Sequence, residues 1–284
     1  MRTLMVTLTA LVAVGTAAAG GGPTPGALAG SGVLVGWDGV SRAGLRYVAL
    51  PDASRTTVAA VRRQGGRIVR YGSIPGEFGI PFVALDSTPG GLSVDGRTLV
   101  LASIPGAPNS TTYSRFAVVR VPGMKLQRLV TLRGLFSFDA LSPDTKTLFV
   151  IEYRTDDGSR YRVRSVDLTT GRLIPRVIAE KGATTMSGLA LTRETSRDGR
   201  WAYTLYRSPG ATAFVHALDT VRRQAICIEL PWRGEAQNGL EVARLSLDPQ
   251  GRTLTVRQPG VGTLATVDTR AYRVTVSRRP VAVS

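Results

Sequence analysis

The sequence predicts an all-β chain folded as a β-propeller of about five four-stranded antiparallel blades, with a sixth partial blade left open. Three observations carry this. A turn phrase returns four times: Leu92-Ser-Val-Asp-Gly-Arg-Thr-Leu99, Leu141-Ser-Pro-Asp-Thr-Lys-Thr-Leu148, Thr195-Ser-Arg-Asp-Gly-Arg-Trp-Ala202 and Leu245-Ser-Leu-Asp-Pro-Gln-Gly-Arg-Thr-Leu254. Its basic residue falls at Arg97, Lys146, Arg200 and Arg252, steps of 49, 54 and 52 residues, a period that marks a repeat architecture. Strand-like apolar runs flank every copy, and no sustained helical period follows residue 20.

Each element follows from the phrase. Asp-Gly suits a tight turn because Gly takes positive φ without a Cβ clash and Asp hydrogen-bonds its own backbone. One strand follows each turn: Leu99 to Ala102, Leu148 to Tyr153, Trp201 to Tyr206 and Leu254 to Val256. A second comes after it: Phe116 to Val121, Tyr161 to Leu168, Phe214 to Thr220 and Leu264 to Thr269. Asp167, Asp219 and Asp268 close three of these as turn residues, and Arg120 stands in the first. The N-terminal part reads as a further blade without the phrase. Its strands are Gly32 to Trp37, Arg46 to Leu50, Thr56 to Arg62 and Arg67 to Ser73, and its Val61-to-Ile68 stretch aligns with Val166 to Leu173. A single small sheet cannot bury both faces, so neighbouring blades must stack.

The Ser-x-Asp-Gly-Arg-x-Leu phrase resembles the repeat of bacterial propellers of the WD40-like, TolB-like and YVTN-like superfamily, and within it exported proteins of high-GC actinobacteria. The resemblance covers the chain beyond the leader. It implies architecture and is nearly silent on chemistry, because propellers host enzymes, receptors and scaffolds alike.

Arg2, the apolar Leu4 to Val14 and the small residues Ala17-Ala18-Ala19 form a secretory signal pattern. The organisation expected is therefore a signal at 1–19, a Gly/Pro/Ala leader at 20–30 and one propeller domain at 31–284. The apolar run is too short to span a bilayer, so no transmembrane segment is expected after cleavage and the protein is expected outside the cell or in its envelope. One cysteine, Cys227, excludes an intrachain disulfide framework and reads as a small buried residue.

The formal net charge of +16 draws polyanions in general, so weak adsorption to anionic cell-wall polymers is one expectation. Of the 36 basic residues, 33 are Arg, and they are dispersed. Arg160, Arg162 and Arg164 alternate on one strand face, read as solvated. No nucleic-acid motif is present, so no specific nucleic acid is expected.

The single histidine, His216, rules out a multi-histidine metal site; it reads as a structural strand residue or a lone base at a channel mouth. Asp86, Asp139, Glu194 and Glu241 are oxygen-bearing candidates for inner-strand or channel positions, with Arg193 a pairing partner. Asp139 and Glu194 fall at nearly equivalent repeat positions and are expected to face one cavity. Calcium would need waters or carbonyls besides two carboxylates, so no cofactor is expected and calcium stays the minority reading. Trp201 is read as core bulk, and Trp37 and Trp232 as an exposed rim. The loops Pro105 to Tyr113, Thr155 to Arg160, Glu180 to Ser187 and Pro231 to Gly239 are expected to carry specificity.

The reading is a non-catalytic, monomeric exported propeller binding a protein, glycan or small molecule at its channel mouth. The alternatives are a lactonase-like hydrolase with a carboxylate or metal site in the channel, and a polyanion-associated protein acting through charge. The calcium-dependent lactonase propellers resemble this chain in fold only.

Overall fold

The computed structural model describes residues 32–104, 113–154, 160–178, 186–208 and 210–282. The signal and leader, and most of the loops at 105–113, 155–160 and 180–187, lie outside them. Five antiparallel sheets of four or five strands form the five blades of a β-propeller, as the repeat requires.

Blade 1 contains β2 (Gly39–Arg42), β3 (Leu45–Asp52), β4 (Arg55–Arg62) and β5 (Ile68–Pro75). Blade 2 contains β6 (Phe78–Phe82), β7 (Thr98–Ser103), β8 (Tyr113–Arg120) and β9 (Lys125–Arg133), with β1 (Gly32–Leu34) added along β6. Blade 3 contains β10 (Phe136–Leu141), β11 (Thr147–Tyr153), β12 (Tyr161–Asp167) and β13 (Arg172–Ile178). Blade 4 contains β14 (Leu189–Thr195), β15 (Trp201–Arg207), β16 (Thr212–Asp219) and β17 (Gln224–Arg233). Blade 5 contains β18 (Arg244–Leu247), β19 (Thr253–Gln258), β20 (Gly262–Asp268) and β21 (Arg273–Val276).

The blade without the phrase differs from expectation at its start. Residues 32–34 leave blade 1 and pair with β6, Val33 opposite Pro81. A turn with Gly36 at φ 77° breaks the run, and β2 takes the inner position instead. The loop expected at 231–239 is part strand, since β17 runs to Arg233 before a 3-10 turn.

The repeated phrase is a closed ring of hydrogen bonds. In blades 2, 3 and 4 the Ser hydroxyl donates to the Asp carboxylate at 2.6 Å: Ser93 to Asp95, Ser142 to Asp144 and Ser196 to Asp198. The same hydroxyl accepts the backbone N–H of Thr98, Thr147 or Trp201 at 2.9 Å. Each Asp accepts the N–H of Arg97, Lys146 or Arg200. Blade 5 is built with one change. Asp248, not Ser246, takes the serine position, since its N–H bonds Thr253 O as that of Ser93 bonds Thr98 O. The second-turn aspartates cap as expected: Asp167, Asp219 and Asp268 each accept two backbone N–H groups.

Consecutive blades share apolar clusters. Tyr47, Val58 and Ile80 join blades 1 and 2, and Phe116, Phe138 and Val150 join 2 and 3. Phe149, Tyr161 and Tyr206 join 3 and 4, and Leu205, Leu230, Trp232 and Leu254 join 4 and 5. Among the described residues no apolar cluster joins blade 5 back to blade 1, whose far face has a buried cluster of just Val48, Ala59 and Val61.

Candidate functional site: a cationic central cleft

The first strand of each blade is an edge strand of its sheet except β6, which β1 flanks, and the chain between β6 and β7 does not return directly. It crosses to blade 4, where Leu85 N donates to Ala190 O at 2.9 Å and Asp86 N to Leu191 O at 3.1 Å. It then turns back through Thr88-Pro89-Gly90-Gly91. Gly91 sits at φ 87°, and a Cβ there would lie 2.2 Å from Val100 O, so only glycine permits this return. The crossing leaves a central cleft of about 290 Å³ walled by blades 1 to 4.

At its base is a buried ion pair. Asp139 is 3 % exposed and Arg193 9 %. The Arg193 guanidinium donates to the Asp139 carboxylate, to the Asp139 carbonyl and, through Nε at 2.9 Å, to Thr204 Oγ1. Asp139 lies three residues before Ser142 and Arg193 three before Ser196, so adjacent blades use the same repeat position for an anion and its cation. Asp139 is also the residue at which β10 slips register against β11, a bulge that redirects its side chain. Its Oδ2 has no hydrogen-bond partner among the described residues, so removing Arg193 would leave the whole carboxylate uncompensated.

Asp139 and Glu194 were expected to face one cavity; Asp139 lines the cleft, and Glu194 is not among the residues that line it. The repeat register matches Asp139 to Arg193, one residue earlier. Alternation along β14 puts Glu194 on the other face, opposite Tyr203 in the direction of blade 5. There, burial raises its pKa above the ordinary carboxylate value. Among the described residues no three of His, Cys, Asp or Glu come together.

The other candidates lie elsewhere. Asp86, on the crossing segment, accepts Thr88 N at 3.0 Å and stands 3.9 Å from Arg244 Nε. Glu241 pairs with Arg207 and accepts Gly239 N at 2.9 Å, closing the turn beyond β17. His216 is buried in the third strand of blade 4, between Thr204 and Cys227 in register, its Nδ1 3.8 Å from the Cys227 sulfur. Cys227 is half-buried rather than fully enclosed. Trp37 is exposed as expected, but Trp232 is buried between blades 4 and 5. Arg162 and Arg164 share a face but are not simply solvated, since Glu152 Oε2 lies 3.8 Å and 2.6 Å from them.

The groups at the mouth of the cleft went unrecognised in the sequence. Exposed Arg42 comes from blade 1 and exposed Arg197 from the blade 4 turn, with Thr88, Thr195 and Ser196 beside them. Asp139 is the one carboxylate among the lining residues, and Arg193 neutralises it. The cleft is left with surplus positive charge at its entrance. The signal available was the offset of Arg193 from its phrase; nothing local marks Arg42, which needs the ring to reach the others.

Fold and cleft together define a β-propeller protein with a cationic central cleft. No protein-family model matches the chain, and no curated protein does. Among solved structures it is similar to a complex entitled dihydro-heme d1 dehydrogenase NirN with DHE, at 12% identity over 90% of this chain and 49% of that one, TM-score 0.50. It is similar to a putative TolB from Agrobacterium tumefaciens, at 16% identity over 81% and 76%, TM-score 0.44. It is also similar to Kuenenia stuttgartiensis hydrazine synthase, at 22% identity over 66% and 47%, TM-score 0.42. The chain thus spans about half the length of several structures it resembles. At these identities the likeness shows the propeller fold alone.

Proposed function

We propose that this chain is a binding propeller, without catalysis of its own, whose central cleft holds a small anionic ligand. The observation that carries the reading is the charge arrangement: one lining carboxylate locked by Arg193, and Arg42 and Arg197 left at the entrance. A volume of about 290 Å³ suits a small metabolite or one sugar unit. The hydrolase alternative has less support, because Asp139 is held by a guanidinium and Glu194 faces away from it. The Arg2, Leu4-to-Val14 and Ala17-to-Ala19 pattern supports action outside the cytoplasm. Among the described residues no helix is long and apolar enough to cross a membrane.

Thermal unfolding with citrate, inorganic phosphate and galacturonate tests this. A ligand that binds only the folded state raises Tm with its concentration. At least one of the three is expected to do so, and an Arg42→Ala/Arg197→Ala double variant to abolish the rise. No shift with any of them, or a shift that survives the double variant, removes the cleft as the site.

A further inference from the structure

A second cavity of about 640 Å³ lies between blades 4 and 5, on the far side of the turn that carries Arg197. Its walls are the blade 4 turn with Arg197, Asp198 and Arg200, the turn after β20 with Arg270 and Tyr272, and Trp201 on β15. Several of these groups are already committed. Arg200 holds Asp219 Oδ2 at 2.7 and 3.1 Å, and its guanidinium carbon lies 5.6 Å from the Trp201 ring centroid. Asp198 accepts Ser196 Oγ and Arg200 N within its own turn. The Trp201 ring stacks on Tyr203 at 5.9 Å and 13°.

What remains is Arg197 on one wall and Arg270 on the other. Both are exposed, and neither has a carboxylate within ion-pair distance among the described residues. Arg197 also lines the central cleft, so a single turn separates the two cavities. Arg42, Arg197 and Arg270 therefore run in series from cleft to groove. One small anion answers one of these positions, whereas a chain with an anion on each unit answers them together. The half-buried aromatic rings of Trp201 and Tyr272, with the polar Gln250, give the groove an amphipathic floor of the kind that takes the mixed CH and hydroxyl surface of a sugar.

We propose that the groove between blades 4 and 5 is a second subsite for a linear acidic oligosaccharide with carboxylate-bearing units, one end of which occupies the cleft. This rests on the reading that the cleft takes an anion. Isothermal titration of the whole chain with galacturonate and with its di- to hexamers tests it. Bridging makes the second contact intramolecular, so the longer oligomers are expected to bind at least about tenfold more tightly than the monomer. Arg270→Ala, a surface change checked for folding by circular dichroism, is expected to erase the gain with length and leave monomer affinity unchanged. Arg42→Ala is expected to weaken the monomer itself. Equal affinity at all lengths, or a gain that survives Arg270→Ala, overturns the groove while monomer binding still upholds the cleft. Absence of all binding overturns both. Equal binding of polyphosphate of matched length overturns the saccharide assignment, since charge alone would then explain the gain.

Discussion

The two faces of blade 5 are made by neighbouring residues and behave oppositely. Leu245, Val256, Ala265 and Val276 are paired in register across all four strands; the first three are buried against blade 4, and Val276 on the last strand is exposed. One residue along, Ser246, Thr255, Thr266 and Thr275 form an equally complete row on the other face, half-exposed or exposed. Period-2 alternation thus builds a sealed junction on one side and a hydroxyl surface on the other. Between blades 3 and 4 there is an intermediate case, an aromatic cluster with the Asp139–Arg193 pair buried beside it. The blade 4–5 junction is thus mainly apolar, with a Tyr203–Thr269 side-chain hydrogen bond beside it, whereas the blade 3–4 junction buries an ion pair.

The largest expected effect lies in that charged junction. Arg193→Ala strands a buried carboxylate and is expected to cost about 3–5 kcal/mol in urea unfolding. Replacing both partners, Asp139→Leu with Arg193→Leu, is expected to recover most of the loss, because the cost is that of an unpaired charge. A double variant as unstable as the single one would mean that the pair is held for its shape instead. Next comes the contrast within blade 5. Leu254→Ala, in the apolar junction, is expected to cost about 2–5 kcal/mol, and Thr255→Ala next to it no more than about 0.5. Equal costs would show that the hydroxyl face is covered in solution.

The repeat turns allow a finer comparison. Gly96, Gly199 and Gly251 take φ near +70°, and in blade 3 Thr145 takes φ 58° at the same place. Thr145→Gly relieves a left-handed side chain and is expected to gain about 0.5 kcal/mol after the added chain entropy. Gly199→Ala is expected to lose about 1–3 kcal/mol, since its Cβ would stand 2.5 Å from Val94 Cγ1 across the ring. The serines of these turns govern acid stability. The hydroxyls of Ser93, Ser142 and Ser196 are the largest cause holding Asp95, Asp144 and Asp198 below the ordinary 3.8. An acid whose folded pKa is depressed adds stability above the unfolded value, and that stability is lost as pH falls through the folded one. A triple Ser→Ala variant is therefore expected to lose stability at neutral pH and to show a shallower decline below pH 3.8. An unchanged acid slope would separate the carboxylates from the turn.

Much of this was legible in the sequence, for identifiable reasons. Turn chemistry is local, so the phrase predicted the strands after it and the capping by Asp167, Asp219 and Asp268. Blade 5 misled because its turn, equal in length to the others, carries Asp248, Pro249 and Gln250 where they carry Ser-x-Asp, so that Asp248 stands in the serine position and not in that of the repeat aspartate. The cleft was half legible. Asp139 and Arg193 were both recognisable, but their partnership depends on a bulge at Asp139 and on counting back from Ser142 and Ser196. Arg42 and the crossing segment were out of reach, because the chain between β6 and β7 bonds to a strand about a hundred residues later. Residues that meet only through ring geometry leave no periodic trace.

Glu194 gives the smallest and most specific comparison, since it neighbours Arg193 yet faces blade 5. Burial is the main cause raising its pKa above 4.5, only partly opposed by the Thr195 N–H. For an acid raised in the folded state the sign reverses. The proton is held more tightly when folded, so stability is greatest below pH 4.5 and declines as pH rises from there through the folded value. At neutral pH the ionised carboxylate is thus a small burden on the blade 4–5 junction. Glu194→Gln is expected to raise Tm at pH 7 by about 0.5–1 °C, the size of a few tenths of a kcal/mol in a chain this long. The same variant is expected to show no gain near pH 4, where Glu194 itself is protonated. A gain that persists at acid pH would come from packing instead, and loss of stability at pH 7 would mean that the carboxylate has a cationic partner across the junction.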